Sequence, residues 1–203
     1  MTQQQNTKHG RINVSLSDCD CWFAPNFLKA SQAEQLLQQL LSEIDWRQDQ
    51  IMMFGRSVAI PRLQAFMGDN QINYKYSGLN LTAISWHPAV LELRDQLKAE
   101  TGVEFNAVLL NLYRNGQDSM GWHSDDEPEL GDNPVIASIS LGAKRRFLFK
   151  NTDKSNPEKS ELLLNSGSLL WMGRGVQQNW QHSLPKTKVC HKPRINLTFR
   201  RII

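Results

Sequence analysis

Pro193-Arg-Ile-Asn-Leu-Thr-Phe-Arg200 alternates along its whole length. Successive side chains of an extended strand point to opposite faces. Arg194, Asn196, Thr198 and Arg200 therefore share one face, and Ile195, Leu197 and Phe199 share the other. The apolar face belongs in a core, but two readings of the polar face are open. It is either an outward basic edge or an inward face lining a barrel. In the second case two buried guanidinium groups require an anionic ligand. A dicarboxylate meets that requirement by bidentate pairing. The outward reading leaves Asn196 and the nearby histidine unexplained.

The stretch upstream has the same texture. After Gly102, short β-rich runs at 105–113, 135–141, 146–150, 162–164, 168–172 and 195–199 are separated by Gly, Pro, Asn and Asp. Six such runs without intervening helices predict a sandwich or barrel. Before them the spacing predicts two helices. One covers 31–46, with Ser31 and Glu34 as a capping-box pair and an apolar stripe from Ala33 to Ile44. The other covers 88–100, with Pro88 in its first turn and Gly102 just past its end. The expectation is one structural domain, mainly β with some α (α+β), with a flexible tail over 1–20, an N-terminal extension over 21–100 that holds the helices and a recognition lid, and a β core over 101–203. Residues 151–160 are the most loop-like internal stretch.

Composition excludes several classes. Of 203 residues, 40% are hydrophobic and 21% charged, which rules against disordered, collagenous and disulfide-scaffold chains. No apolar run approaches the ~20 residues that span a bilayer, and the polar start lacks a signal-peptide stretch. Cys19, Cys21 and Cys190 form an odd set, as expected of an intracellular protein in a reducing compartment. The net charge of +3 conceals a division: residues 1–143 hold 10 basic and 17 acidic side chains, and residues 144–203 hold 13 and 3. The basic end suits a polyanion such as nucleic acid.

The chemistry centres on two histidines. His123 lies in Met120-Gly-Trp-His-Ser-Asp-Asp-Glu127, and on a strand it shares a face with Asp125. His182 follows in Asn179-Trp-Gln-His-Ser-Leu-Pro185. A His-x-Asp pair with a distant histidine is the ligand set of non-haem Fe(II) oxygenases, which leaves coordination positions open. Asn111 and Tyr113 share a strand face just before this loop.

Taken together, Asn111-x-Tyr113, His123-x-Asp125, His182 and Arg194-x-Asn196-x-x-x-Arg200 resemble the AlkB family of Fe(II)- and 2-oxoglutarate-dependent dioxygenases, with a match running from about Phe54 to Arg200. The resemblance implies a double-stranded β-helix (jelly-roll) core buttressed by the N-terminal helices. It implies His123, Asp125 and His182 as iron ligands, and Asn111, Tyr113, Arg194, Asn196 and Arg200, with Thr198 on the same face, as the 2-oxoglutarate set. Fe(II), 2-oxoglutarate and O2 are the implied cofactors. The implied reaction hydroxylates an N-methyl group on a base such as 1-methyladenine or 3-methylcytosine in DNA, releasing formaldehyde, succinate and CO2.

The resemblance also implies substrate contacts. A base must leave the stack to be reached. Tyr74 and Tyr76 resemble the base-contacting pair, and Asp126 the carboxylate that hydrogen-bonds an exocyclic amino group, with Glu127 a further substrate-binding candidate. Met52-Met-Phe-Gly-Arg56 resembles the finger of the branch that repairs duplex DNA, making Phe54, before Gly55, the intercalating wedge. That branch has a compact basic run after the third ligand; here the charge is spread over Lys186, Lys188, His191 and Lys192. The expected partner is alkylated DNA, duplex favoured over single strand, with RNA of the same chemistry or a non-catalytic nucleic-acid-binding jelly roll as alternatives. The protein is expected to be a monomer away from membranes, cytoplasmic, or nuclear in a eukaryote. Arg194 and Arg200 are expected inside, leaving Lys144, Arg145, Lys186, Lys188 and Lys192 to meet phosphates.

Overall fold

The computed structural model describes residues 10–53, 55–69, 72–76 and 79–203. In chain order the elements are β1 (Ile12–Asn13), β2 (Cys21–Ala24), α1 (Ala30–Glu43), β3 (Gln50–Met53), β4 (Arg56–Ala59), β5 (Leu63–Gly68), β6 (Asn73–Tyr76), β7 (Leu79–Thr82) and α2 (Pro88–Thr101). There follow β8 (Ala107–Tyr113), β9 (Met120–His123), β10 (Ile136–Gly142), β11 (Arg145–Asn151), β12 (Lys159–Leu164), β13 (Ser168–Met172), α3 (Val176–Asn179), β14 (Trp180–Leu184) and β15 (Arg194–Arg200). No described helix is long and apolar enough to cross a membrane.

A seven-stranded sheet, ordered β1-β2-β13-β10-β15-β8-β5, faces a four-stranded sheet, β12-β11-β14-β9. Two hairpins, β3-β4 and β6-β7, stand apart from both. One apolar cluster lies between the sheets, where Leu109 and Tyr113 of β8 and Leu170 of β13 meet Phe147 and Phe149 of β11 and Leu184 of β14. A second lies on the opposite face of the large sheet, where Leu110, Ile139, Ile195, Leu197 and Phe199 meet Leu37 and Leu40 of α1 and Leu93 and Leu97 of α2. The large sheet is thus covered on both faces, the jelly-roll arrangement buttressed by helices. β8 and β15 are buried at every position.

The helices form where expected, with one change at a cap. α2 has Pro88 in its first turn, and His87 Nδ1 accepts from the Ala89 N–H at 3.3 Å. Gly102 closes it in the left-handed region (φ 74), a conformation that costs glycine little. α1 starts at Ala30, so Ser31 lies inside it and the Ser31–Glu34 capping box is not formed. Gln32 Oε1 instead accepts from the Lys29 N–H at 3.2 Å, which makes Lys29 the N-cap, two residues before Ser31.

Long-range pairing ties the N-terminal part of the chain to the β core. β2 and β5, from the N-terminal extension, hydrogen-bond to β13 and β8 of the β core. Within the expected tail, Val14 and Leu16 are buried and β1 pairs with β2; residues 1–9 lie outside the described residues. Leu40, fully buried against the large sheet, tests the helix–sheet contact. Leu40→Ala is expected to cost about 2–5 kcal/mol, lowering Tm by roughly 5–15 °C in thermal unfolding followed by circular dichroism.

Candidate active site

β15 runs between β10 and β8, and its register lays the polar side chains out in rows across the inner face of the large sheet. Arg194 stands opposite Tyr113, Asn196 between Asn111 and Ser140, Thr198 between Leu109 and Ser138, and Arg200 opposite Ala107. The polar face of 194–200 therefore points inward. Asn111, Tyr113, His123, Asp125, His182, Arg194, Asn196, Thr198 and Arg200 all line one cavity between the sheets, together with Ser138 and apolar walls that include Phe147 and Met172.

The two arginines differ in their pairing. The Arg200 guanidinium donates to Asp125 Oδ1 at 2.8 Å, and both side chains are almost wholly buried. Arg194, 1% exposed, has no carboxylate partner among the described residues. Its Nη2 donates to Ser140 Oγ (2.8 Å) and Asn196 Oδ1 (2.7 Å), its Nε has no hydrogen-bond partner, and its guanidinium lies 5.4 Å from the Tyr113 ring centre. Burial lowers its pKa to about 10, so it stays cationic at neutral pH. A buried cation with an unused donor calls for an anion to enter the cavity. Asn196 is held in turn by Ser138 Oγ (3.0 Å) and donates from Nδ2 to Thr198 Oγ1 (2.6 Å).

His123, Asp125 and His182 bring their ligand atoms within 4.8 Å of one another. His182 on β14 sits directly opposite His123 on β9, with ring centres 4.2 Å apart. Burial, reinforced by His123, lowers His182 to about 3, and burial also lowers His123, so both imidazoles are neutral. The His123 Nδ1–H donates to the Gly121 carbonyl (2.9 Å), leaving Nε2 with a free lone pair, and His182 Nδ1 is buried without a partner. Burial opposes charge on Asp125, but Arg200 and then the histidines hold its pKa at about 2. Two neutral imidazoles and a carboxylate are in the protonation state a divalent cation needs. The residues present fit such an ion.

Asp125 reaches this position differently from the strand-face expectation. β9 ends at His123, and Asp125 lies beyond it in a loop. Its N–H donates to Gln177 Oε1 (2.9 Å), and Ser124 Oγ donates to the Trp180 carbonyl (3.0 Å). Gln177, Arg62 and Gln64 are buried polar residues at the site that local pattern did not single out. Isolated polar residues carry no motif, and burial alone marks them.

The expected substrate residues are less uniformly placed. Tyr74 is 1% exposed and donates from its hydroxyl to Glu127 Oε2 at 2.7 Å. Burial raises the pKa of Glu127, which is half-buried. Asp126 is exposed. Tyr76 shares strand β6 with Tyr74. Phe54 lies outside the described residues; Gly55 beside it has φ 76. Arg145, expected to meet phosphates, is 2% exposed and donates to the carbonyls of Asn115, Asp118 and Pro185, which removes it from the surface. Lys144, Arg146, Lys186, His191 and Lys192 line a separate groove of about 520 Å³.

A family model described as the 2OG-Fe(II) oxygenase superfamily matches residues 20–200. The chain is 39% identical over 200 residues to a Homo sapiens protein named DNA oxidative demethylase ALKBH2, covering 94% of this chain and 76% of that one. It is 38% identical over 209 residues to the Bos taurus alpha-ketoglutarate-dependent dioxygenase alkB homolog 3, covering 96% and 71%. In fold it is similar to the solved structure of OsALKBH1, with a TM-score of 0.63, 17% identity and coverage of 93% and 99%. With a match over nearly its full length and relatives this similar, the chain belongs to the 2OG-Fe(II) oxygenase superfamily and, within it, to the AlkB family.

Proposed function

We propose that this protein is an oxidative demethylase of N-alkylated bases in nucleic acid, acting on DNA. In this reading His123, Asp125 and His182 hold Fe(II), and Arg194, Asn196, Thr198, Tyr113, Asn111 and Arg200 form the 2-oxoglutarate cavity. The observation that carries it is a three-ligand cluster beside a buried guanidinium that lacks a carboxylate partner among the described residues. Iron, when bound, supplies the O2-dependent oxidation that couples 2-oxoglutarate turnover to succinate and CO2 with hydroxylation of the N-methyl group, which leaves as formaldehyde.

The protein's own groups supply the rest. Arg194 neutralises one end of the co-substrate. Arg200 keeps Asp125 ionised and aimed at the metal. Apolar walls of Phe147 and Met172 exclude water from the reacting centre. Tyr74 and the Asp126–Glu127 pair meet a flipped base, and their negative charge favours the cationic ring of 1-methyladenine or 3-methylcytosine. Exposed cations of the groove, with Lys188, contact phosphates. The exposed Met52 (70%) on the β3–β4 hairpin, two positions before Phe54 in the sequence, supports a wedge that fills the gap in a duplex.

Purified protein given Fe(II), 2-oxoglutarate and a 1-methyladenine oligonucleotide is expected to release formaldehyde and succinate in equal amounts. Single-stranded, duplex and RNA versions of the same lesion rank the substrates. Asp125→Ala is expected to abolish iron binding and lower turnover at least ~100-fold, the scale of losing a metal-dependent site. Arg194→Met should melt at or above the wild-type temperature without ligand, because it removes an uncompensated buried charge. The wild type should gain about 2.7 kcal/mol at a 2-oxoglutarate concentration 100 times Kd, and the variant almost nothing at that concentration. Phe54→Ala is expected to lose activity on duplex substrate selectively; an equal loss on single strands refutes the wedge.

A further inference from the structure

Arg62 and Gln64 stand beside the cavity, 5% and 2% exposed, and belong neither to the ligand cluster nor to β15. Arg62 Nε and Gln64 Nε2 both donate to Asn111 Oδ1, each at 2.8 Å. Gln64 pairs directly with Asn111 across β5 and β8, so the two side chains share a row on the inner face.

The polarity of this trio follows from one fact of donor chemistry. A guanidinium has no acceptor, so the Asn111 atom it meets must be the carbonyl oxygen. That choice leaves Asn111 Nδ2 on the other side of the amide. It also forces Gln64 to offer its nitrogen, which turns Gln64 Oε1 away, and that oxygen is buried without a hydrogen-bond partner. An orphaned buried acceptor carries its full desolvation cost, a cost that an apolar residue at 64 would avoid. The orphan marks a network that sets direction at some expense of stability.

The direction matters because every polar atom of ionised 2-oxoglutarate accepts and none donates. An amide free to rotate would present oxygen to it part of the time. We infer that Arg62 and Gln64 are positioning residues: by saturating Asn111 Oδ1 they turn Asn111 Nδ2 toward the co-substrate. They act through Asn111 and are not themselves members of the metal-ligand cluster. This inference rests on the reading that Asn111 lines the 2-oxoglutarate site.

The test is direct titration of 2-oxoglutarate into Mn(II)-loaded protein by calorimetry, with no turnover involved. Asn111→Asp keeps both acceptor contacts and removes the donor; it is expected to weaken 2-oxoglutarate binding about 100-fold. Gln64→Glu places Asn111 between a group that only donates and one that only accepts, with an expected loss of about tenfold or more. Gln64→Met, which removes the orphan, is expected to weaken binding several-fold at unchanged or higher Tm, and serves if Gln64→Glu fails to fold. The double variant Gln64→Glu/Asn111→Asp should bind within twofold of Asn111→Asp alone, and Mn(II) affinity should not change in either Gln64 variant. A folded Gln64 variant that binds 2-oxoglutarate as wild type does, while Asn111→Asp is weakened, overturns the inference alone. So does loss of Mn(II) affinity in step with 2-oxoglutarate affinity. Wild-type binding by Asn111→Asp overturns the underlying assignment and the inference with it.

Discussion

Strand β15 is hydrogen-bonded on both edges and buried on both faces, and the site depends on that double constraint. Its apolar residues, Ile195, Leu197 and Phe199, are held by the helices on the outer face of the sheet. With those three committed outward, Arg194, Asn196, Thr198 and Arg200 have no direction left but the space between the sheets. A one-residue slip would reverse every side chain, placing two guanidinium groups under the helices and three apolar residues in the cavity. The pairing with β8 and β10 prevents it, and the same register brings Asn111, Ser138 and Ser140 alongside.

Electrostatics then divides the labour within the cavity. Arg200 has Asp125 as a fixed counter-charge, and Asp125 is held ionised in a place where burial alone would protonate it. Arg194 has no such carboxylate partner among the described residues, and only neutral groups, Ser140, Asn196 and the Tyr113 ring, meet its charge. Neutral imidazoles stand on the opposite sheet, their basicity lowered by the same burial. The proposed cation site and the proposed anion site thus lie side by side in one low-dielectric space. Orienting amides such as Asn111 are held by groups of fixed donor character.

Much of this was legible in the local sequence. The alternation at 194–200, the Pro88 and Gly102 signals of α2 and the apolar stripe of α1 are short-range patterns, and each appears in the structure. The motif residues could be named for the same reason, since each motif is a few residues long. Departures occur where a partner lies far along the chain. Asp125 looks like a strand neighbour of His123, yet Gln177, 52 positions away, holds it in a loop. Arg145 looks like a surface cation in a basic run, but three distant carbonyls draw it inside. The α1 cap lies two residues before Ser31 because the Lys29–Gln32 pair competes with Ser31–Glu34 for the role, a near-degenerate local choice.

By itself the sequence determined the chemistry available: two histidines and a carboxylate for a cation, two arginines for an anion, and an alternating strand to carry the arginines. Periodicity and donor type are properties of the residues, so they can be read without a fold. Only the tertiary structure decided which face of β15 looks inward, which arginine is left without a counter-charge among the described residues, and that Gln64 on β5 and Arg62 just before it hydrogen-bond Asn111. Those outcomes are set by register between strands distant in the chain and by which groups lose water together, and neither is encoded in any short stretch.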